Sequence, residues 1–299
     1  MGLEFQRKHG LQTPFDPHQV GTWVVITVLG VTCYTLFVPV VIDSATRIAL
    51  AVLYTVLLVT TLWLAYASSV ADPSDPGLHG SNEGELFCSM CEVNVAATAK
   101  HCRACNRCVE GFDHHCKWLN NCVGQTNYRA FFMLVASTVA LLTLQFAWGL
   151  WLIVISFTQK GAMQLKVASV YGVTFSYVGW QVALFLLIAL LAVSICMLGE
   201  LFVFHMVLIS KDMTTFDYIT AQRTMQMSEA PPPAGTGMGA RAALCRNNRV
   251  YDEALAAVDI PKRRVKVGIN PCKACATPAP AHSPLYGAPP QPQPSVTQR

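Results

Sequence analysis

The sequence predicts an α-helical integral membrane protein: four transmembrane helices, with a cysteine-rich cytosolic module set between the second and the third. Three observations carry that prediction. The chain of 299 residues is 53% apolar and only 13% charged, with a mean hydropathy of +0.40; it is too apolar and too sparsely charged for an ordinary soluble chain. Four apolar runs, residues 20–42, 48–71, 130–157 and 180–208, each reach the roughly 20 residues that a helix needs to cross the hydrocarbon layer. Of the 21 Lys and Arg, all but Arg47, Lys160 and Lys166 fall on one side of this four-span layout. Basic residues near spans mark the cytosolic side, so both termini and the cysteine-rich loop are expected there.

Taken in order, residues 1–19 form a polar leader, and the run behind it is long enough to remain as an anchor rather than be cleaved as a signal. Gln6 stands where a myristoylation signal needs Ser or Thr, so no lipid is expected on Gly2. Residues 20–71 hold the first two spans; Pro39 is tolerated near the end of the first, and "DSATR" makes a tight turn between them. The turn formers and acids of "VADPSDPGLHGSNEGE" mark the exit from the membrane. Residues 72–129 form the cysteine-rich module, which runs almost directly into the third span. Residues 130–208 hold the last two spans, with residues 158–179 expected as a plain linker. Residues 209–299 form a cytosolic tail: a juxtamembrane stretch, "SKDMTTFDYITAQRT", a more ordered-looking "ARAALCRNNRVYDEAL", a basic run (Lys262, Arg263, Arg264, Lys266) and a Pro-rich end. The basic run reads either as solvated tail or as an anionic-lipid contact. The proline-rich end cannot bury enough surface to fold and is expected to be disordered. No internal repeat is expected beyond the cysteine pairs.

Of the 12 cysteines, Cys33 and Cys196 lie within spans. The rest face the reducing cytosol, where structural disulfides are disfavoured and metal binding or thiol chemistry is the better expectation. Between residues 88 and 122 the candidate ligands are Cys88, Cys91, His101, Cys102, Cys105, Cys108, His114, His115, Cys116 and Cys122. A Cys-x2-Cys turn sets two thiolates at neighbouring corners of a tetrahedron, as zinc prefers, and two such turns are present. Two closed tetrahedral sites use eight ligands and leave two candidates over. One reading is a purely structural double zinc knuckle with two spectators. The other is an activated thiol, because Asp113, His114 and Cys116 supply an orienter, a base and a nucleophile close together. Cys272 and Cys275 repeat the spacing but lack two further ligands nearby, so a third zinc site is not expected; they are possible acylation targets.

The stretch "CSMCEVNVAATAKHCRACNRCVEGFDHHCKWLNNCVGQTNYRAFF", with Asp113, His114, His115 and Cys116 at its centre, resembles the cysteine-rich domain of the DHHC-type protein S-acyltransferases, or palmitoyltransferases. The likeness extends to the four-span layout, to "DPG" (Asp75, Pro76, Gly77) and to "TTFD" after the fourth span. It implies one structural zinc on Cys88, Cys91, His101 and Cys108, and a second on Cys102, Cys105, His115 and Cys122. Cys116 is then the nucleophile, His114 its base and Asp113 the residue that orients His114. Trp118 and Phe131 match acyl-contacting positions, and Thr215 matches a residue that hydrogen-bonds near the active-site Asp. The family motif is Thr-Thr-x-Glu, whereas this chain has Asp217 at its last position, which puts the contacts of that Glu in doubt.

The implied reaction is transfer of a fatty acyl group from acyl-CoA, usually palmitoyl-CoA, through an acyl-enzyme to cysteine thiols of membrane-associated client proteins. Arg107, Lys117 and Arg129 are candidates for the CoA phosphates. Glu200 and His205, near the cytosolic end of the fourth span, read as helix-end hydrogen bonding or as functional groups. The rival from another class is a non-catalytic membrane adaptor whose zinc module binds a protein. Nucleic-acid binding does not fit a membrane-tethered module with few basic residues. The expected location is an endomembrane, ER or Golgi.

Overall fold

The computed structural model describes residues 5–81 and 84–229. The expectations placed on "CRNNRVYDEAL", on residues 262–266 and on Cys272 and Cys275 lie outside the described residues. Among those described, six α-helices occur: α1 (Pro17–Thr32), α2 (Ser44–Val70), α3 (Tyr128–Thr158), α4 (Lys160–Tyr171), α5 (Tyr177–Ser210) and α6 (Thr215–Glu229). Four segments are long and apolar enough to span a membrane: Pro17–Val40, Ser44–Val70, Tyr128–Thr158 and Tyr177–Ser210. The fold is a helical membrane protein with the cysteine-rich module between the second and third spans.

Asp16 caps α1 by accepting the His18 N–H at 2.8 Å, with Pro17 in the first turn. Further along, Pro39 brings no N–H and its ring crowds the preceding turn. The first span therefore ends in a π turn, Cys33–Phe37, and a 3-10 turn, Val38–Val40. Carbonyls at this bend find partners elsewhere: the Tyr171 hydroxyl donates to Thr35, and Trp180 Nε1–H donates to Leu36 at 3.3 Å. Residues 158–179 are thus more than a linker. Their helix α4 buries Met163 and Val167, one turn apart, in the helical core with Phe37, Trp148 and Trp180.

α3 packs along both α2 and α5. At 1.5 Å per residue, 31 and 34 residues make α3 and α5 about 46 and 51 Å long, well beyond a hydrocarbon layer of about 30 Å. Their surplus length supports the module. Between α2 and the module, the last carbonyls of α2 have no helical donors. Asn121 Nδ2 donates to Ser68, Ser69 and Ala71, and Gly10 N–H also reaches Ser69. The leader is therefore a strap across the junction; Arg7 N–H donates to the Cys105 carbonyl, and Gln19 Nε2 donates to Gly10 and Leu119.

The module consists of three antiparallel hairpins, β1 (Leu86–Cys88) with β2 (Val93–Val95), β3 (Lys100–Cys102) with β4 (Arg107–Val109), and β5 (His114–Cys116) with β6 (Asn121–Val123). Their registers are equivalent, with Cys88, Cys102 and Cys116 opposite Val93, Arg107 and Asn121. Each turn carries one residue at positive φ in the same place: Glu92 (56°), Asn106 (51°) and Asn120 (52°). This corrects the expectation of no repeat: "FCSMCEVNV", "HCRACNRCV" and "HCKWLNNCV" recur every 14 residues. In the "DPG" segment, Asp75 accepts from Gly77 N–H at 2.8 Å and Ala96 N–H at 3.1 Å. A Cβ on Gly77 would collide with the Asn94 carbonyl, so β2 can approach only a glycine there.

Candidate active site

The hairpin repeat organises the metal ligands. Each site takes the two knuckle cysteines of one hairpin and a histidine and a cysteine from the next: Cys88 and Cys91 with His101 and Cys108, then Cys102 and Cys105 with His115 and Cys122. In both clusters the histidine presents Nδ1. His101 Nδ1 lies 3.9, 3.3 and 3.9 Å from the sulfurs of Cys88, Cys91 and Cys108. His115 Nδ1 lies 3.8, 3.3 and 3.7 Å from those of Cys102, Cys105 and Cys122. A tetrahedron with metal–sulfur bonds of about 2.3 Å has edges of about 3.5–3.8 Å, so both Cys3His sets fit zinc.

The third hairpin has no successor to supply a His and a Cys. Cys116 stands at its first knuckle position, and Leu119 stands where the second cysteine would be. Cys116 is thereby left out of both metal clusters. It is 6% exposed and packs in an apolar cluster with Leu119, Val123, Phe131 and Val135, flanked by Leu134, Leu201 and Phe202 from α3 and α5.

Asp113, 2% exposed, precedes this hairpin. Its carboxylate accepts the Thr215 backbone N–H and hydroxyl, both at 2.8 Å, and the His114 Nδ1–H at 2.6 Å. Thr215 opens α6, so the helix N-terminus also favours the negative charge. Burial alone would raise the Asp113 carboxyl, but the hydrogen bonds from His114 and Thr215 outweigh it and hold it below its ordinary range. For His114, burial favours the neutral ring, yet Asp113 and then the neighbouring Cys116 thiol push it up to about 9. With Nδ1 committed to Asp113, Nε2 is the nitrogen left for the thiol.

A family model described as DHHC palmitoyltransferase matches residues 81–222. The human "Probable palmitoyltransferase ZDHHC11B" is 30% identical over 257 residues, covering 75% of this chain and 68% of that protein. The chain belongs to the DHHC palmitoyltransferase family. The Arabidopsis thaliana "Probable protein S-acyltransferase 20" is 42% identical over 155 residues, 52% of this chain. That match covers 22% of the plant protein's length, and the match to "Probable protein S-acyltransferase 19" from the same plant covers 21%. The chain thus spans about a fifth of these plant relatives.

Other sequence-predicted residues of this DHHC chain fall in distinct places. Phe131 is buried with its ring edge-on to His114, centroids 5.2 Å apart. Trp118 is 55% exposed and packs edge-to-face on His18 at 5.1 Å; it is not in the apolar cluster around Cys116. Lys117 and Arg129 are exposed. Arg107 is not available to a phosphate. It is fully buried and donates to the Lys8 carbonyl (2.8 Å), Ser74 Oγ (2.9 Å), Asn121 Oδ1 (2.8 Å) and Asp72, tying the module to the end of α2. The doubt over Asp217 resolves into a capping box: Asp217 accepts the Thr214 hydroxyl at 2.7 Å and backbone N–H at 3.3 Å, while Thr214 Oγ1 accepts the Asp217 N–H at 3.1 Å. The shorter Asp closes this ring without the extra methylene of Glu. Glu200 is exposed on α5, whereas His205 is buried beside His114. Leu119 and Tyr128 were missed by residue type; the 14-residue repeat was the available signal for Leu119.

Proposed function

We propose that the chain is a protein S-acyltransferase that moves a fatty acyl group, palmitoyl above all, from acyl-CoA to cysteine thiols of client proteins through a thioester on Cys116. The observation that carries this reading is the surplus knuckle cysteine beside a buried, pre-oriented Asp113–His114 pair at the edge of an apolar cluster. An ordinary thiol titrates near about 8.5, so little of it is thiolate at neutral pH. His114, pushed up to about 9, holds the one proton of the Cys116–His114 pair at neutral pH.

In the first half-reaction the proton of the Cys116–His114 pair stays on His114 Nε2 while Sγ attacks the thioester carbonyl carbon. The new carbon–sulfur bond forms, the bond to the CoA sulfur breaks, and the CoA thiolate leaves with the proton from His114. In the second, a client thiol gives its proton to His114 and attacks the acyl-enzyme carbonyl, and Cys116 departs and recovers that proton. Asp113 holds the imidazole with Nδ1 protonated and offsets the positive charge that forms on it. Zinc, when bound, fixes the hairpins and does no chemistry. Phe131, Leu134, Val135, Leu201 and Phe202 supply the apolar surface for the chain, each buried methylene contributing about 0.8 kcal/mol.

The module and both termini face the cytosol in this reading, where acyl-CoA and client cysteines meet, and the host membrane is an endomembrane. Residues 72–129 act as the zinc domain, residues 20–71 and 130–208 as the membrane domain, and residues 209–299 as the tail, of which Thr215 completes the site. The test is incubation of purified protein with labelled palmitoyl-CoA. Hydroxylamine-sensitive label on Cys116, absent from Cys116→Ser, is expected; no label on the wild type, or equal label on both, refutes the proposal.

A further inference from the structure

His205 is an ionisable side chain that the mechanism above does not use. It projects from α5 and is 1% exposed, with its ring centroid 5.1 Å from Phe131 and 6.0 Å from His114. Its Nδ1 lies 3.1 Å from the Tyr128 hydroxyl. Tyr128 opens α3 directly behind the third hairpin and packs against the cluster that holds Cys116. Among the described residues this Nδ1 is the hydroxyl's sole hydrogen-bond partner, and which of the two donates depends on the tautomer of the ring. With the phenolic O–H as donor, the proton of a neutral imidazole is on Nε2. Nε2–H has no acceptor among the described residues. Nε2–H is thus free to donate to a group that enters beside Phe131 and His114.

Resting on the acyl-transfer reading, we propose that His205 is a further catalytic residue, whose Nε2–H donates to the carbonyl oxygen of the acyl group as Cys116 attacks, with Tyr128 setting the tautomer. When the Cys116 sulfur bonds to the carbonyl carbon, the π pair of the C=O bond moves onto oxygen. It returns when the bond to the CoA sulfur breaks. A donor pre-set in a site shielded from water stabilises that transient oxyanion without reorganising. The residue types suit the task. A neutral imidazole donates without adding a second positive charge next to the imidazolium that forms on His114. An apolar residue on α5 at this position would pack against Phe131 equally well but could not donate.

The full-length protein, purified with its zinc, tests this by two reactions of the same thiol. Single-turnover acylation of Cys116 by palmitoyl-CoA passes through an oxyanion; alkylation of Cys116 by iodoacetamide needs the same thiolate and forms none. His205→Phe is expected to slow acylation by about 10²–10³-fold, the usual effect of removing one oxyanion donor. Alkylation is expected to stay within about twofold, and His205→Gln, which keeps an amide donor, to recover part of the acylation rate. Tyr128→Phe, which keeps the ring packing but frees the tautomer, is expected to slow acylation by about tenfold; it carries the test alone if His205→Phe loses zinc. Unchanged acylation in the informative variant, or a parallel fall in acylation and alkylation, overturns the assignment. A wild type that alkylates but never acylates refutes instead the acyl-transfer reading.

Discussion

Replacing Asp113 by Asn keeps the size of the side chain and removes its charge. His114 rises from an ordinary 6.5 to about 9 in the folded protein, which at about 1.4 kcal/mol per unit is about 3 kcal/mol of preference for the imidazolium. Cys116 supplies part of that preference, and the His114 side chain is 26% exposed, so the share assigned to Asp113 is about 2 kcal/mol after allowance for solvent screening. That share is worth about 30-fold in rate. A second effect adds to it: the amide N–H of Asn facing Nδ1 selects the ring with its proton on Nε2, which cannot accept from the thiol. Single-turnover labelling of Cys116 with palmitoyl-CoA near neutral pH is therefore expected to fall by at least about 30-fold in Asp113→Asn, with both zinc ions retained. Labelling within about threefold of wild type, in protein shown to hold its zinc, would refute the role given to the Asp113–His114 pair.

The ligand division predicts that Cys88→Ala loses metal and unfolds the module while Cys116→Ser keeps both zinc ions; metal analysis of the two purified variants checks this, and equal loss contradicts it. Leu119→Cys completes a third knuckle beside Cys116, so added zinc is expected to inhibit this variant and not the wild type, with a chelator restoring activity; indifference to zinc would argue against the hairpin repeat. Asp217→Ala removes the capping box and is expected to cost about 1 kcal/mol, read as a lower unfolding temperature, whereas Asp217→Glu changes it little. The His114 imidazole, raised in the folded state, contributes stability that is full below about 6.5 and is lost as pH rises through about 9. The unfolding temperature of wild type relative to Asp113→Asn should therefore converge across that upper window; a gap that widened there would reverse the sign.

Much of the site was legible because it is written locally. The spans follow from runs of apolar residues, counting ligands against coordination positions left two of the ten candidates over, and the resemblance to the family implied which two. The repeat was harder to see because its members share few identities: Phe87 stands where His101 and His115 do, Asn94 where Cys108 and Cys122 do, and Leu119 replaces a cysteine. Equal registers and equal positive-φ positions expose it at once. Arg107 was misread for a related reason. A basic residue in a polar loop is ordinarily solvated, and only the packing of the module onto the end of α2 buries this one among four acceptors.

By itself the sequence determined the four spans and a surplus of two ligand candidates, which depend on residue type and short spacing, and its resemblance to the family implied the two Cys3His sets and the cysteine left over. Tertiary structure decided how that cysteine is served. Thr215 reaches Asp113 from 102 positions along the chain, and Tyr128 meets His205 from 77 positions away. Such pairs form because α3 and α5 pack together and α6 returns its N-terminus to the hairpins. No local pattern encodes those contacts; they exist only once the apolar faces of the helices have found each other.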